Sequence, residues 1–341
     1  MRIAVCRPQV PFARGGAEIF TDRLVDELRA RGHEADLVSM PFKWYPGTRV
    51  LTQAFLWRML DLEEADGQRI DLVVATKFPS YLVRHRDKRV WLVHQFRQAY
   101  ELDGTALGQF DDSPEERAVR RKVQALDRVA LGEASRLFAI SGNVAGRVES
   151  STGLKAEVLP HPPQALEYRC DDYGDFVLSV NRLDRAKRID LLLEAAARDG
   201  SLDVVIAGDG PDRERLERLA HDRGLNGRAR FTGRITEAEL ADLYARCLAV
   251  YYAPVDEDYG MVPLEAFLSE KPVLTTTDAG GPLEVVSDGS TGLVVTPDAA
   301  EIARALGWLR EHRDEAASYG RAGKALASEV TWDRAIARLL S

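Results

Sequence analysis

The chain has 341 residues, 45% of them hydrophobic and 29% charged, with a formal net charge of −8. That length accommodates two domains and the composition is that of a globular protein; no run of about 20 apolar residues, the length needed to span a bilayer, occurs. Residues 1–165 carry 24 Lys and Arg against 22 Asp and Glu, whereas residues 166–341 carry 22 against 32, and so acidic a second half excludes general nucleic-acid binding.

The N-terminal MRIAVCRPQV lacks the apolar run and cleavage site of a signal peptide and reads as a first β-strand. Cysteine use is sparse: Cys6, Cys170 and Cys247, odd in number and without a CxxC spacing, argue for a reducing cytosol and against a disulfide framework or a structural zinc site. Further strands are expected at 35–39, 72–75, 90–94, 137–140 and 157–159, with helices between several of them. Ser113-Pro114-Glu115-Glu116 offers an N-cap, a proline at the first helical position and a capping-box glutamate for a helix running to about Ala134. RHRDKR, residues 84–89, reads as a solvated charge run. Residues 160–175, PHPPQALEYRCDDYGD, have three prolines and no strong periodicity, and read as an interdomain linker. Alternation then restarts, with strands at 176–180, 203–207, 229–232, 248–253 and 272–275, helices at 191–197, 212–223, 237–246 and 263–269, and a helical tail from Ala299. Continuous apolar strands such as DVVIAG and LAVYYA suit a parallel sheet covered on both faces. The expected architecture is α/β: two Rossmann-like, doubly wound parallel-sheet domains facing across a cleft. Ligands of such sheets lie beyond the carboxyl ends of the strands.

The residues just after the strands are therefore the informative ones. Gly15-Gly16 stand where the first loop turns into a helix, a place where backbone N–H groups can approach an anion; a flexible turn explains them equally. The loop is not GxGxxG, which disfavours a dinucleotide dehydrogenase. His94 ends VWLV and could donate a hydrogen bond to a ligand, or be structural. Ser141 follows LFAI and would cap the next helix. Arg182 and Lys187 follow FVLSV, a forked cation and a point charge that suit a diphosphate, against the bland reading of two solvated charges. Gly208-Asp209-Gly210 is explained by a tight strand-to-helix turn. In VDEDYGMVPLEAF, Glu257 falls in a loop and Glu265 in a helix, with Gly260 between. Carboxylates suit vicinal hydroxyls, and the helix start offers unpaired N–H groups. The Asp256-Glu257-Asp258 triplet also offers carboxylates to a divalent metal, a reading that the two-domain organisation disfavours.

Taken together, the Glu-x7-Glu of EDYGMVPLE, the Arg-x4-Lys of RLDRAK, the GDGP turn, the GRI after ARFT and the GGPLEVVSDGSTG segment resemble the family-4 glycosyltransferases of the GT-B type, over about residues 176–297. The N-terminal half resembles them through Gly15-Gly16, His94 and Ser141. The resemblance implies a retaining, metal-independent transferase with no cofactor, moving a hexose from a UDP- or GDP-sugar to a glycan, lipid-linked or small-molecule acceptor. It implies that Arg182 and Lys187 bind the donor diphosphate, that Glu265 holds the ribose and that Glu257 meets the sugar. Tyr259, Gly260, Met261 and Val262 would line the sugar and phosphate, with Gly233, Arg234 and Ile235 near the base. Gly15 and Gly16 would close over the diphosphate, and His94 and Ser141 would face the acceptor. Asn181, Tyr259 and Pro160-His161-Pro162-Pro163 depart from the family pattern; none removes a charged group from the site.

The expected domains are 1–165, binding acceptor, and 166–325, binding donor, with a helix over 326–341 packing back on the first. PFKWYPGTRVLTQAFLWRML, residues 41–60, mixes cations with aromatics and reads either as a membrane-surface or lipid-acceptor element or as an aromatic loop before a helix packed on the sheet. The expected location is cytoplasmic, at most peripheral to the inner face of the membrane. Two other readings stand: a nucleotide-sugar-binding protein without turnover, and an isomerase acting on the nucleotide sugar.

Overall fold

Each half of the chain winds a six-stranded, all-parallel sheet, and in each the strand order reverses at one point. The computed structural model describes residues 1–13, 15–105, 107–111 and 113–341. It divides into two units, Met1–His161 with Trp332–Ser341, and Pro162–Thr331.

In the first unit, β1 (Arg2–Gln9) leads to α1 (Gly16–Ala30), β2 (Glu34–Pro41), α2 (Arg49–Met59), a two-stranded excursion of β3 (Glu64–Ala65) and β4 (Gln68–Arg69), then β5 (Leu72–Lys77), β6 (Lys88–His94), α3 (Pro114–Gly132), β7 (Arg136–Ala139), α4 (Gly142–Thr152) and β8 (Glu157–Val158). The sheet order is β2-β1-β5-β6-β7-β8. The central β5, LVVATK, is buried along nearly its whole length, as a strand covered on both faces must be. Helix starts follow their capping chemistry. The Ser113 hydroxyl accepts from the Glu116 amide, and Pro114 occupies the first turn. The expected capping box does not close, because the Glu116 carboxylate accepts from the Asp111 N–H instead.

The RHRDKR stretch is not a solvated run. His85 is 9% exposed and bonds the Asp87 and Ile70 carbonyls, and Lys88 is 1% exposed, its ammonium donating to the Tyr81 and Ala130 carbonyls and to Glu133. Pairing with the sheet carries these polar groups inward, where they meet carbonyls rather than water.

The second unit runs β9 (Phe176–Val180), α5 (Ile189–Arg198), β10 (Asp203–Ala207), α6 (Arg213–Asp222), β11 (Ala229–Gly233), α7 (Glu237–Arg246), β12 (Ala249–Tyr251), α8 (Met261–Leu268), β13 (Val273–Thr276), β14 (Gly292–Val295), α9 (Ala299–Glu311) and α10 (Arg313–Ala327). Its order is β11-β10-β9-β12-β13-β14. The core packs Leu192 and Leu193 of α5, Ile206 of β10 and Leu306 of α9 on the strands, each fully buried and worth about 2 kcal/mol of apolar burial. The remaining helix, α11 (Trp332–Leu340), belongs to the first unit: Trp332 stacks with Phe20, and Arg338 pairs with Glu157.

The glycines of the GDGP turn are steric necessities. A Cβ on Gly208, at φ +133°, would lie 1.8 Å from the Asn181 carbonyl oxygen, and one on Gly210 would lie 2.3 Å from that of Leu183. The turn is therefore pressed onto the backbone on either side of Arg182. Gly208→Ala is expected to cost about 3 kcal/mol, read as a lower urea midpoint at unchanged slope; a midpoint equal to wild type would show that the segment yields.

Candidate functional site

In the second unit the order reverses between β9 and β12, the switch point at which doubly wound sheets bind ligands. The segments leaving the two strands converge there. After β9 the chain makes a short 3-10 turn, Arg185–Lys187, capped by Asp184, whose carboxylate accepts from the Ala186 amide. After β12 the loop is tied to that turn, Val255 N–H donating to the Ala186 carbonyl at 2.8 Å. Its other side is tied to the segment after β13, by Glu257 N–H to the Ala279 carbonyl at 2.7 Å and Gly281 N–H to the Glu257 carbonyl at 2.8 Å.

These backbone ties bring Lys187 against Glu257. Its ammonium bonds the Glu257 carboxylate and lies 5.7 Å from the centre of the Tyr252 ring, and the Tyr252 hydroxyl is 3.4 Å from the same carboxylate oxygen. Burial works against the lysine's charge, but Glu257 prevails and holds the ammonium above the usual lysine range. Arg182, five residues earlier, is exposed and makes no side-chain hydrogen bond or ion pair among the described residues. Of the cations that follow β9, Lys187 is thus seated against Glu257 and Arg182 is unengaged among the described residues.

Glycines seat this loop. A Cβ on Gly260, at φ +79°, would meet the Tyr252 ring at 2.6 Å, and one on Gly281 would meet the Asp258 carbonyl at 2.6 Å. Met261 and Val262 open α8, whose first turn has no side-chain cap, so their N–H groups are available to an outside acceptor. Tyr259 is buried beside them, 6% exposed. Glu265, on the same helix, does not touch Glu257. It is 4% exposed, and one of its oxygens accepts from the Tyr244 hydroxyl at 2.7 Å. No donor among the described residues meets the other oxygen. Gly233, at φ +70°, joins the Gly208 strand end through a 3.0 Å bond from Gly208 N–H to its carbonyl, and Arg234 and Ile235 follow, the arginine exposed.

In the first unit the order reverses between β1 and β5. Gly15 caps α1, and its N–H donates to Glu18 at 2.9 Å; the other Glu18 oxygen accepts from Lys77 at 2.8 Å, at the end of β5. The Gly15 amide is thus engaged by a carboxylate of the chain itself, while Gly16 begins the helix. His94 closes β6 with Nδ1 2.6 Å from the Gln95 carbonyl. A carbonyl only accepts, so Nδ1 carries a proton, and Nε2 donates only when the ring is charged. Ser141 is buried, its hydroxyl accepting from Val144 N–H at the start of α4.

Three residues that support these positions escape a sequence reading. Arg188, at φ +49°, bonds the Ala253 and Pro254 carbonyls, Thr276 and Asp278, and so clamps the ends of β12 and β13. Nothing in its sequence context signals this. Tyr252 contacts both members of the Lys187–Glu257 pair. Asp127 is fully buried and accepts from the Tyr81 and Tyr100 hydroxyls at 2.7 Å and from Gln95, the neighbour of His94, at 3.2 Å. Burial pushes its carboxyl up to about 6 against the pull of those donors. A readable signal existed, a lone carboxylate on the apolar stripe of α3 formed by Val119, Val123 and Ala130.

Burial also pushes the Glu265 carboxyl up, to about 7, the Tyr244 bond opposing. A raised acid keeps its proton in the folded chain while the unfolded chain ionises near 4.5, so folding stability falls as pH rises from there to about 7. The stability difference between wild type and Glu265→Gln should decline by about 3 kcal/mol across that window, measured by urea unfolding at several pH values. A difference that does not change with pH would remove the buried-acid description.

Residues 168–326 match the family Glycosyl transferases group 1. A D-inositol 3-phosphate glycosyltransferase of Nocardia farcinica is 30% identical over 276 residues, 72% of this chain and 60% of that protein. The human alpha-1,3/1,6-mannosyltransferase ALG2 is 29% identical over 170 residues, 45% of this chain and 41% of that protein. A GDP-mannose-dependent alpha-(1-6)-phosphatidylinositol monomannoside mannosyltransferase of Mycobacterium tuberculosis is 34% identical over 177 residues, 48% and 46% of the two chains. The chain thus spans about half the length of these relatives. Among solved structures, the sucrose-phosphate synthase of Thermosynechococcus elongatus superposes with a TM-score of 0.81 at 17% identity, covering 99% of this chain and 97% of that one. The Anabaena protein HepE, solved with UDP and glucose, superposes with a TM-score of 0.71 at 18% identity, covering 100% and 99%. The chain has the GT-B fold of two doubly wound α/β domains, and its residues 168–326 are similar to the group 1 glycosyl transferases.

Proposed function

We propose that this chain is a retaining, metal-independent glycosyltransferase of family 4 that moves a hexose from a UDP- or GDP-sugar to a hydroxyl acceptor. The observation that carries the reading is the pairing of Lys187 with Glu257, with the unengaged Arg182 five residues before that lysine, at the switch point of the family-matched sheet. The leaving nucleoside diphosphate gains negative charge as the anomeric bond breaks, and fixed cations and helix N-terminal amides stabilise charge of that kind. In this reading Arg182 and Lys187 hold the diphosphate, the amides of Met261 and Val262 meet its oxygens, and Glu265 accepts from the ribose hydroxyls. Glu257 orients the sugar from within its pair with Lys187, Tyr259 and Gly260 line the sugar, and Gly233, Arg234 and Ile235 lie near the base. On the first unit, His94 and Ser141 serve the acceptor, and the Gly15-Gly16 turn serves an anion only if its amide leaves Glu18.

The chemistry of the donor set supports metal independence. Glu257, the middle of the acidic triplet, is neutralised by a lysine rather than left open to a cation. The same neutralisation makes Glu257 a poor nucleophile, which favours front-side transfer. The acceptor oxygen forms its bond to the anomeric carbon as the bond to phosphate breaks, and the acceptor proton passes to the departing phosphate oxygen. The donor bases tested should include guanosine, since a relative is named as GDP-mannose-dependent, and uridine. Among the described residues, no helix is long and apolar enough to cross a membrane.

Release of nucleoside diphosphate is to be followed with a panel of nucleotide sugars and polyol, glycan and lipid acceptors. Transfer predicts acceptor-dependent release, a product heavier by one hexose, and an α-linked product from an α-linked donor. Arg182→Ala and Lys187→Ala should each lower the rate about 10- to 100-fold, the loss of one charge-assisted hydrogen bond. A product isomeric with the donor would make the protein an isomerase, tight donor binding without release would make it a binding protein, and an inverted anomeric centre would reject the front-side path.

A further inference from the structure

Helix α2 is apolar on both sides, yet only one side is covered. Val50, Ala54 and Trp57 are buried, whereas Phe55, Leu56 and Met59 are 62%, 42% and 66% exposed. With Thr52 they form an i, i+3, i+4, i+7 stripe pointing to water. Helix α3 lies alongside and runs in the same direction: Gly47, before α2, abuts Phe110 and Glu116 at the start of α3, and Arg58 at the end of α2 pairs with Glu133 at the end of α3. The outer side of α3 exposes Arg121, Lys122 and Arg128, together with Val129, which is 57% exposed. Lys43 and Arg49 extend the positive charge to the head of α2.

None of these five cations makes an ion pair among the described residues, and of the nearby acids only Glu115, at the head of α3, is exposed without a partner among them. Glu133 is taken by Arg58 and Lys88, Glu116 by the Asp111 amide, and Asp127 is buried under tyrosines. Helix α2 itself has no acidic residue. The face is therefore an apolar stripe flanked by an excess of positive charge, within a chain of net charge −8. A second copy of the same face would bring like charges together. A soluble polyanion would satisfy the cations and leave Phe55, Leu56 and Met59 in water.

We propose that the α2–α3 face docks on an anionic lipid bilayer, the apolar stripe entering the headgroup boundary and the five cations lying against lipid phosphates. This stands on the geometry of the first unit and does not depend on the transfer reaction; it bears on where the acceptor is met. It departs from the quieter expectation of a helix merely packed on the sheet, which accounts for Trp57 but not for Phe55, Leu56 and Met59.

The test is flotation of the full chain with vesicles of phosphatidylcholine alone and of phosphatidylcholine with phosphatidylglycerol, at low and high salt. Wild type is expected to float with the anionic vesicles at low salt and not with the neutral ones. A triple variant Phe55→Ser, Leu56→Ser, Met59→Ser, and a second triple, Arg121→Ser, Lys122→Ser, Arg128→Ser, should each lower partitioning at least about tenfold. All six positions are surface ones, and an unchanged Tm would show that the variants fold. No flotation with anionic vesicles would overturn the proposal, as would flotation that survives the apolar triple, which would mean a polyanion site. Concentration-dependent self-association abolished by the same triple, without flotation, would assign the face to a second copy. Donor binding by thermal shift reads the transfer site separately, so its failure and that of the docking face are distinguishable.

Discussion

The Lys187–Glu257 pair is the constraint on which the rest of the second unit's strand-end face depends. A lysine and a glutamate drawn out of water cost several kcal/mol each, and their attraction recovers this only where both remain in place. Removing one member strands the other, at a cost below the about 3–5 kcal/mol of a fully buried pair, since both side chains keep 17–18% exposure. The pair joins the exit of β9 to the exit of β12, so it also fixes the two connections that flank the reversal of the sheet. A group held this way loses little freedom when an anion arrives, which is what electrostatic preorganisation requires.

The surrounding backbone explains why the pair forms. Arg188 binds the Ala253 and Pro254 carbonyls just past β12 and the Asp278 carboxylate, holding the acidic loop between the 3-10 turn and the segment after β13. Gly260 and Gly281 allow that loop to lie on Tyr252 and on Asp258 without a Cβ between them. Gly208 and Gly210 press the neighbouring turn onto the Asn181–Leu183 backbone, which leaves the Arg182 side chain in solvent. The glycine-rich segments are thus the joints of one frame, and the charged residues are what the frame presents.

Much of the fold is legible because parallel strands are written as short continuous apolar runs and helices announce their starts. Phe176–Val180, Asp203–Ala207 and Glu237–Arg246 stand where the alternation puts them, the last with its Thr236–Glu239 capping box. What sequence cannot express is pairing at long range. Lys187 and Glu257 are each conspicuous after a strand, yet seventy residues separate them, and only the adjacency of β9 and β12 makes them touch. Local charge density misleads for the same reason. RHRDKR looks solvated until the register beside β5 draws Lys88 inside and the Ile70 and Asp87 carbonyls hold His85 there. Arg188 reads as one more cation in RAKRID, and its role appears only when φ +49° turns it back toward β12.

The two sheet reversals also differ in a way that bears on mechanism. In the first unit Glu18, Lys77 and the Gly15 amide satisfy one another, whereas in the second Arg182 and the first-turn amides of α8 are left to an outside acceptor. Positive charge supplied by the protein itself is therefore concentrated where a diphosphate would be expected to lie. The most direct measurement of that claim is the rate of nucleoside diphosphate release in the presence of a strong chelator, compared with added magnesium or manganese. If fixed cations of the chain carry the leaving group, the two rates are equal; turnover abolished by the chelator and restored by the metal would contradict the account.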